Sequence, residues 1–423
     1  MTDAQDRLEQ TAKALFQCAV DRADPARALR AALAETPLPP LPAGGRNFIF
    51  AAGKAAVPMM RAALDLIPDP ARALAVTNPE NKTEIPGAEV ICGSHPVPDE
   101  NSAKAGQAAL AMAAGLSQND RLIALISGGG SALMVAPAPG LTLVDKAAVN
   151  RLLLASGLEI NQMNLIRQQL SALKGGGLLR AAAPAELRAY ILSDVIGDDL
   201  RAIASGPTVS PIGSKAEAKA VMISAGIWEA APEAVRTHLE APEPDSAAAP
   251  EAINTLIGSN RHSLEAMRDA APAIWQVQIV TGTLTGGVQD AAGTILKAAA
   301  RAPLDRPVAL LFGGETTVQI KGSGLGGRNQ ELALRVARDG GRIPGNWVFL
   351  SGGTDGRDGP TEAAGGIVAR TTWEDIRTAG CDPEALLANN DSNAALAAAG
   401  ALLMTGGTGT NVADVQIFLR SPG

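Results

Sequence analysis

Four apolar runs in this chain end in the same way. Leu122–Ser131 (LIALISGGGS), Val308–Glu315 (VALLFGGE), Val348–Asp355 (VFLSGGTD) and Leu402–Asn411 (LLMTGGTGTN) each pass into Gly-Gly and then a hydroxyl or an acid. Short apolar runs bounded by glycine read as buried strands. Glycine at the end of such a strand permits positive φ and lets the backbone come close to a ligand. Ligands of open α/β sheets sit beyond the carboxyl ends of strands, so these ends predict a shared, anion-lined cleft.

The stretch Leu310–Glu331 carries the device furthest. It reads as a strand, a Gly-Gly-Glu turn at Gly313-Gly314-Glu315, a second strand Thr317–Ile320, a glycine loop and a helix starting near Arg328. That helix start is expected to offer free N–H groups and a positive dipole end to an anion, with Arg328 beside them. The loop Gly322–Gly327 also satisfies G-x-G-x-x-G. The strand before it is short and is interrupted by Gln319 and followed by Lys321, whereas a dinucleotide-binding first strand is central and apolar. The loop is therefore not read as a nicotinamide site.

Helical patterns alternate with strand patterns along the whole chain, which makes the class α/β. Expected strands include Asn47–Ala52, Leu74–Thr77, Glu89–Cys92, the central Arg121–Ile126, apolar after its first residue, and Leu187–Leu192. Amphipathic helices are expected over residues 3–35, with Leu8, Ala12, Leu15, Phe16 and Val20 on one face. A chain of 423 residues exceeds one compact core, and the Pro- and Ala-rich tract Glu240–Glu251 reads as the linker. Two domains follow, 1–245 with a parallel sheet and 246–423 with a smaller, mixed one. With a net charge of −7, nucleic acid and anionic membranes are poor partners. Three widely spaced cysteines, no apolar leader and no membrane-length apolar run lead us to expect a soluble cytoplasmic protein.

With these residues in view, the chain resembles the glycerate 2-kinases of the MOFRL family, also called class II glycerate kinases. The resemblance rests on Ala52–Ala55 (AGKA), Gly93–Glu100 (GSHPVPDE), Ile126–Ala132 (ISGGGSA), Lys174–Gly176 (KGG), Leu192–Gly197 (LSDVIG), Ala204–Thr208 (ASGPT), Gly313–Glu315 (GGE), Gly326–Glu331 (GGRNQE), Ser351–Gly359 (SGGTDGRDG) and Thr408–Asn411 (TGTN), in that order. It implies a Rossmann-like N-terminal domain and a smaller C-terminal one with the active site in the cleft between them. The implied reaction is transfer of the ATP γ-phosphoryl to the 2-hydroxyl of D-glycerate with Mg²⁺. It also points to Lys54, Asp194, Arg328 and Asp355 as the catalytic set. Alternatives are an NAD(P)H-dependent hydroxypyruvate reductase, a label such proteins also carry, and a noncatalytic sugar-acid binding protein.

Phosphoryl transfer asks mainly for positioning and charge neutralisation. Lys54 suits a mobile charge on a phosphate, and Arg328 a two-pronged grip on a phosphate or carboxylate. The attacking secondary alcohol needs a proton acceptor, Asp194 or Asp355, and the other of the two is the expected Mg²⁺ ligand. Glu315 is a third candidate for the metal. Ser127-Gly128-Gly129-Gly130-Ser131 suits an anion nest, and Lys174 adds a charge to it or simply ends its helix. Gly313, Gly314 and Glu315 are expected at the same substrate and nucleotide site. Asp358, within Asp-Gly-Pro, reads as a turn residue.

Overall fold

The computed structural model describes residues 3–242 and 251–422. These fall into two compact units, one spanning 25–257 and the other combining 3–24 with 258–422. The boundary expected at 245/246 lies outside the described residues. Among the described residues, no helix is long and apolar enough to cross a membrane.

The first unit is built on β1 (Asn47–Ala52), β2 (Arg72–Thr77), β3 (Glu89–Cys92), β4 (Arg121–Ile126), β5 (Glu186–Leu192) and β6 (Ile253–Gly258), in the spatial order β3-β2-β1-β4-β5-β6. β1 pairs parallel with β2 and β4, β2 with β3, and β4 with β5. This is the doubly wound order, whose direction reverses between β1 and β4. Every residue of β4 is buried because helices cover both faces of a parallel sheet. Phe50, Leu74, Leu122, Ile126 and Ile191 pack with Ala105, Ala109 and Met112 of the helix Glu100–Ala114. Each large side chain so buried contributes about 1.5–3 kcal/mol.

The second unit holds β7 (Gln276–Gly287), β8 (Val308–Thr317), β9 (Asn346–Gly353), β10 (Gly365–Ala369), β11 (Leu402–Leu403) and β12 (Asp414–Ser421), in the order β11-β10-β9-β12-β8-β7. β7 and β8 are parallel and the other pairs antiparallel, so the sheet is mixed as expected. Period-two alternation in β12 splits its side chains: Val415, Ile417 and Leu419 face one core, and Phe418 the other. The first of these cores includes Leu8, Ala12, Leu15, Phe16, Ala19 and Val20 of the helix Asp3–Arg22, packed with Leu311, Val348 and Leu350. The earliest helix thus belongs with the late strands, not with the N-terminal domain that chain order suggested.

β8 corrects a second expectation. Gly313-Gly314-Glu315 makes no turn; the strand runs straight through it, and residues 318–327 form no further strand. The glycines serve a close parallel crossing. Gly314 has φ +150°, and a Cβ there would lie 2.2 Å from the Leu284 carbonyl oxygen of β7.

Candidate functional site

The four Gly-Gly stretches are shared unequally. Only the one after β4 belongs to the first unit, and the other three belong to the second.

In the first unit the carboxyl ends of β1 and β4 are neighbours at the reversal of strand order. They are tied there by Lys54 N–H donating to the Gly128 carbonyl (2.9 Å) and Ala55 N–H to Ser127 Oγ (3.1 Å). Gly53 adopts φ +123°, and a Cβ on it would fall 2.2 Å from Ser127 Oγ, so the loops touch backbone to backbone. Around Ser127–Ser131 the expected residues converge one by one. A Cβ at Gly128 would lie 1.9 Å from Asp194 Oδ2; at Gly129, 3.2 Å from Lys54 Cγ and 3.5 Å from His95 Cδ2. Asp194 arrives because β5 ends at Leu192, next to β4 in the sheet. His95 arrives from β3, and burial and Lys54 together hold its imidazole below the ordinary histidine range. Gly129 takes φ +81°, the left-handed turn by which successive N–H groups of a loop such as Gly128–Ser131 form an anion nest.

Lys174 is more than the end of a helix. Its Nζ donates to Ser131 Oγ at 2.8 Å, and Ser131 Oγ lies 2.9 Å from Ser205 Oγ. Burial pushes the ammonium down to about 8, with Arg167 pushing the same way. Ser205, which sequence reasoning passed over as part of Ala204–Thr208, enters the site here with φ +60°.

In the second unit Arg328, at the first turn of the helix Arg328–Asp339, does not stand free. Its Nε and Nη2 donate to Asp414 Oδ2 (2.6 Å) and Oδ1 (2.9 Å), and Nη1 meets Glu315 Oε1 at 3.1 Å. Asp414 is fully buried and pairs in register with Gly314 and Gly353, so it stands between the Gly-Gly inside β8 and the Gly-Gly that ends β9. Burial pushes its carboxyl up to about 6 against the pull of Arg328, while the carboxylate raises the guanidinium still further. The preceding Ala413 takes φ +65°, held by Thr354 Oγ1 on its carbonyl (2.7 Å) and by Asn411 Oδ1 on its N–H (3.0 Å). A non-glycine residue in that region costs about 1–2 kcal/mol.

The helix start itself is occupied by the chain, which corrects the anion site expected there. Asp358 is buried, and its carboxylate accepts from Asn329 N–H (3.1 Å) and Gln330 N–H (2.9 Å). Desolvation raises this carboxyl, and those N–H groups and Arg328 pull it back. Asp358 is therefore a helix cap supplied from a distant loop, not only a turn residue. Gly313 and Gly314 likewise spend their close approaches within the unit, on Asn260 and Leu284. The loop Gly322–Gly327 is also committed: N–H groups of Gly322, Ser323 and Leu325 donate to Asn390, Asn389 and Asp391 side chains, so the dinucleotide-like spelling has no phosphate-binding vacancy. Asn393 joins this packing through Nδ2 to Gln330 Oε1 (2.8 Å).

Asp355 follows β9, and its Oδ1 accepts from Arg357 N–H at 3.0 Å. No group of three metal-ligating side chains occurs among the described residues. Asp194 and Asp355 supply hard oxygen donors singly, which suits a Mg²⁺ that takes one or two carboxylates and completes its shell on phosphates and water.

Two family models match the chain. Residues 11–240 match the family described as a domain of unknown function (DUF4147), and residues 308–414 match the MOFRL family. The glycerate 2-kinase of Pyrococcus horikoshii is 40% identical over 89% of this chain and 87% of its own length. A putative hydroxypyruvate reductase of Agrobacterium vitis is 39% identical over 97% of this chain and 94% of its own. The crystal structure of the Thermotoga maritima glycerate kinase superposes with a TM-score of 0.90 at 36% identity, covering 98% of this chain and 100% of that one.

Proposed function

Because this chain belongs to the MOFRL-family glycerate kinases, we propose that it transfers the γ-phosphoryl group of ATP to the 2-hydroxyl of D-glycerate. The observation that best supports residue roles is the placing of Asp194 and Lys54 against successive glycines, Gly128 and Gly129, of one anion-nest loop.

In this reading Asp194 accepts the proton of the 2-hydroxyl as the O2–Pγ bond forms and the bond from Pγ to the ADP oxygen breaks. ADP leaves carrying the electron pair. Lys54 follows the charge on the transferring group, and the N–H groups of the Gly128–Ser131 loop hold an oxyanion of the substrates without reorganising. Arg328, fixed by Asp414, and Asp355 serve the phosphates of the nucleotide. A bound Mg²⁺, with Asp355 as its ligand, would neutralise phosphate charge. Asp194 is reserved here for the proton. The acidic chain and its scattered cysteines accord with a cytoplasmic setting.

The test is ADP release from purified protein with ATP, Mg²⁺ and D-glycerate, run beside an enolase-only readout that consumes 2-phosphoglycerate and not the 3-isomer. Signal in both is expected. ADP without an enolase signal moves the phosphate to the 3-hydroxyl. No ADP release, with NADH oxidised on hydroxypyruvate, replaces the kinase with the reductase for which the Agrobacterium relative is named.

A further inference from the structure

We propose that Lys174, Ser131 and Ser205 form the subsite that receives the carboxylate of the acceptor acid. This rests on the glycerate kinase reading above and says which part of the substrate binds where.

Lys174 is 7% exposed, and no carboxylate forms an ion pair with it among the described residues. Its hydrogen-bond partner, Ser131, is neutral. The charged group that acts on it, Arg167, is a cation as well, and burial pushes the neighbouring Lys146 well down. Those two are already used: Arg167 donates to Asn150 Oδ1 at 2.7 Å, and Lys146 to the Leu170 carbonyl at 2.8 Å. A buried ammonium without a counter-ion is a costly thing for a fold to keep. An arriving anion would compensate it.

Proton accounting gives the anion's shape. An ammonium has three donors, and one of Lys174's goes to Ser131 Oγ. Ser131 and Ser205 share one hydroxyl proton between their oxygens, so the other hydroxyl proton remains to be given. The group that uses both is an acceptor with two adjacent oxygens and no proton of its own, which describes a carboxylate or a phosphate, and position along the loop chooses between them. Ser205 is held in place for this by Gly175 N–H and Gln168 Nε2 on its carbonyl, at 3.0 and 3.2 Å.

Position along the loop favours the carboxylate. Asp194 abuts Gly128, Lys54 abuts Gly129, and Lys174 binds Ser131. A 2-hydroxy acid carries its carboxylate on the carbon next to the reacting one. The carboxylate must therefore bind within the same short loop as the proton acceptor, and Lys174 is the cation there that is buried and unspent. The partly exposed Lys54 is left for the larger phosphoryl group.

The experiment is calorimetric titration of D-glycerate, and separately of ADP, into wild type, Lys174→Met and Ser205→Ala, with steady-state kinetics on each. We expect Lys174→Met to weaken D-glycerate on the order of 100-fold and Ser205→Ala about 5-fold, the former raising KM for glycerate more than it lowers kcat. ADP affinity should stay within about 2-fold in both. Glycerate affinity unchanged in Lys174→Met overturns the proposal, as does weakened ADP with glycerate intact, which would make this a nucleotide phosphate site. Should Lys174→Met fail to fold, an unchanged glycerate affinity in Ser205→Ala overturns it too. Wild type that neither binds nor phosphorylates glycerate removes the kinase reading together with this one. Wild-type turnover with an indifferent Lys174 removes this one alone.

Discussion

Arg328 meets Asp414 with two parallel hydrogen bonds of 2.6 and 2.9 Å, and its remaining nitrogen, Nη1, pairs with Glu315 at 3.1 Å. The pair is a positioning device: a fully buried carboxylate on the central strand β12 fixes the plane of a half-exposed guanidinium. Arg328→Ala is expected to lower kcat/KM on the order of 100-fold, and Arg328→Lys to recover little because an ammonium cannot span both oxygens. Asp414→Ala should act by another route. It leaves Arg328 in a site built for an ion pair and should cost about 3 kcal/mol of stability, read by denaturant melts, together with a lowered kcat.

The same pair makes a pH prediction with opposite signs for rate and stability. Burial raises Asp414 from 3.8 to about 6, and the ionised form is the one that grips Arg328. As pH falls through about 6 the grip is released, so kcat should decline with an acid limb that Asp414→Asn flattens at a low level. Stability moves the other way. A folded-state value above the unfolded one means that this group favours the fold below pH 3.8 and loses that contribution as pH rises through about 6. The charged groups that act on it are Arg328 and Asp358, and Asp358 is itself raised, so melts of Asp358→Asn alongside Asp414→Asn separate the two.

Two glycines distinguish close approach from mere backbone freedom. Gly128→Ala would put a methyl 1.9 Å from Asp194 Oδ2, and Gly140→Ala, at φ +84°, would meet nothing within 4 Å. We expect Gly128→Ala to lower kcat on the order of 100-fold, by pushing Asp194 off its position. Gly140→Ala should cost about 1–2 kcal/mol in a thermal melt and leave kcat near wild type. Equal rate losses in the two would remove the role given to the Gly128–Asp194 approach.

What could be read from the sequence followed the range of the forces involved. β4 was legible to the residue because the apolar run Leu122–Ile126 is bounded by Arg121 on one side and Ser127-Gly128 on the other. Lys54, Ser127–Ser131 and Asp194 were legible because each stands directly after a strand, and strand ends of a parallel sheet collect on one edge. Asp358 was missed as a helix cap because its partners, Asn329 and Gln330, lie 28 or more positions earlier, and Asp-Gly-Pro satisfies a turn by itself. Asp414 left one faint trace, a lone acid heading the apolar run Val415–Leu419. An acid there must be exposed or paired, and only the fold supplies Arg328. The Gly-Gly in β8 was read as a turn because spelling alone does not separate a turn from a strand that passes close to its neighbour.

The helix Asp3–Arg22 has a consequence for how the protein is made. It lays Leu15, Phe16 and Ala19 on a sheet whose central strand β12 begins at Asp414, so the unit 25–257 is in effect an insertion within the other. During synthesis the inserted unit has all its strands long before the helix has anything to cover. The helix must wait, its apolar face unsatisfied, until β12 emerges, and an apolar face left open that long is exposed to misassociation.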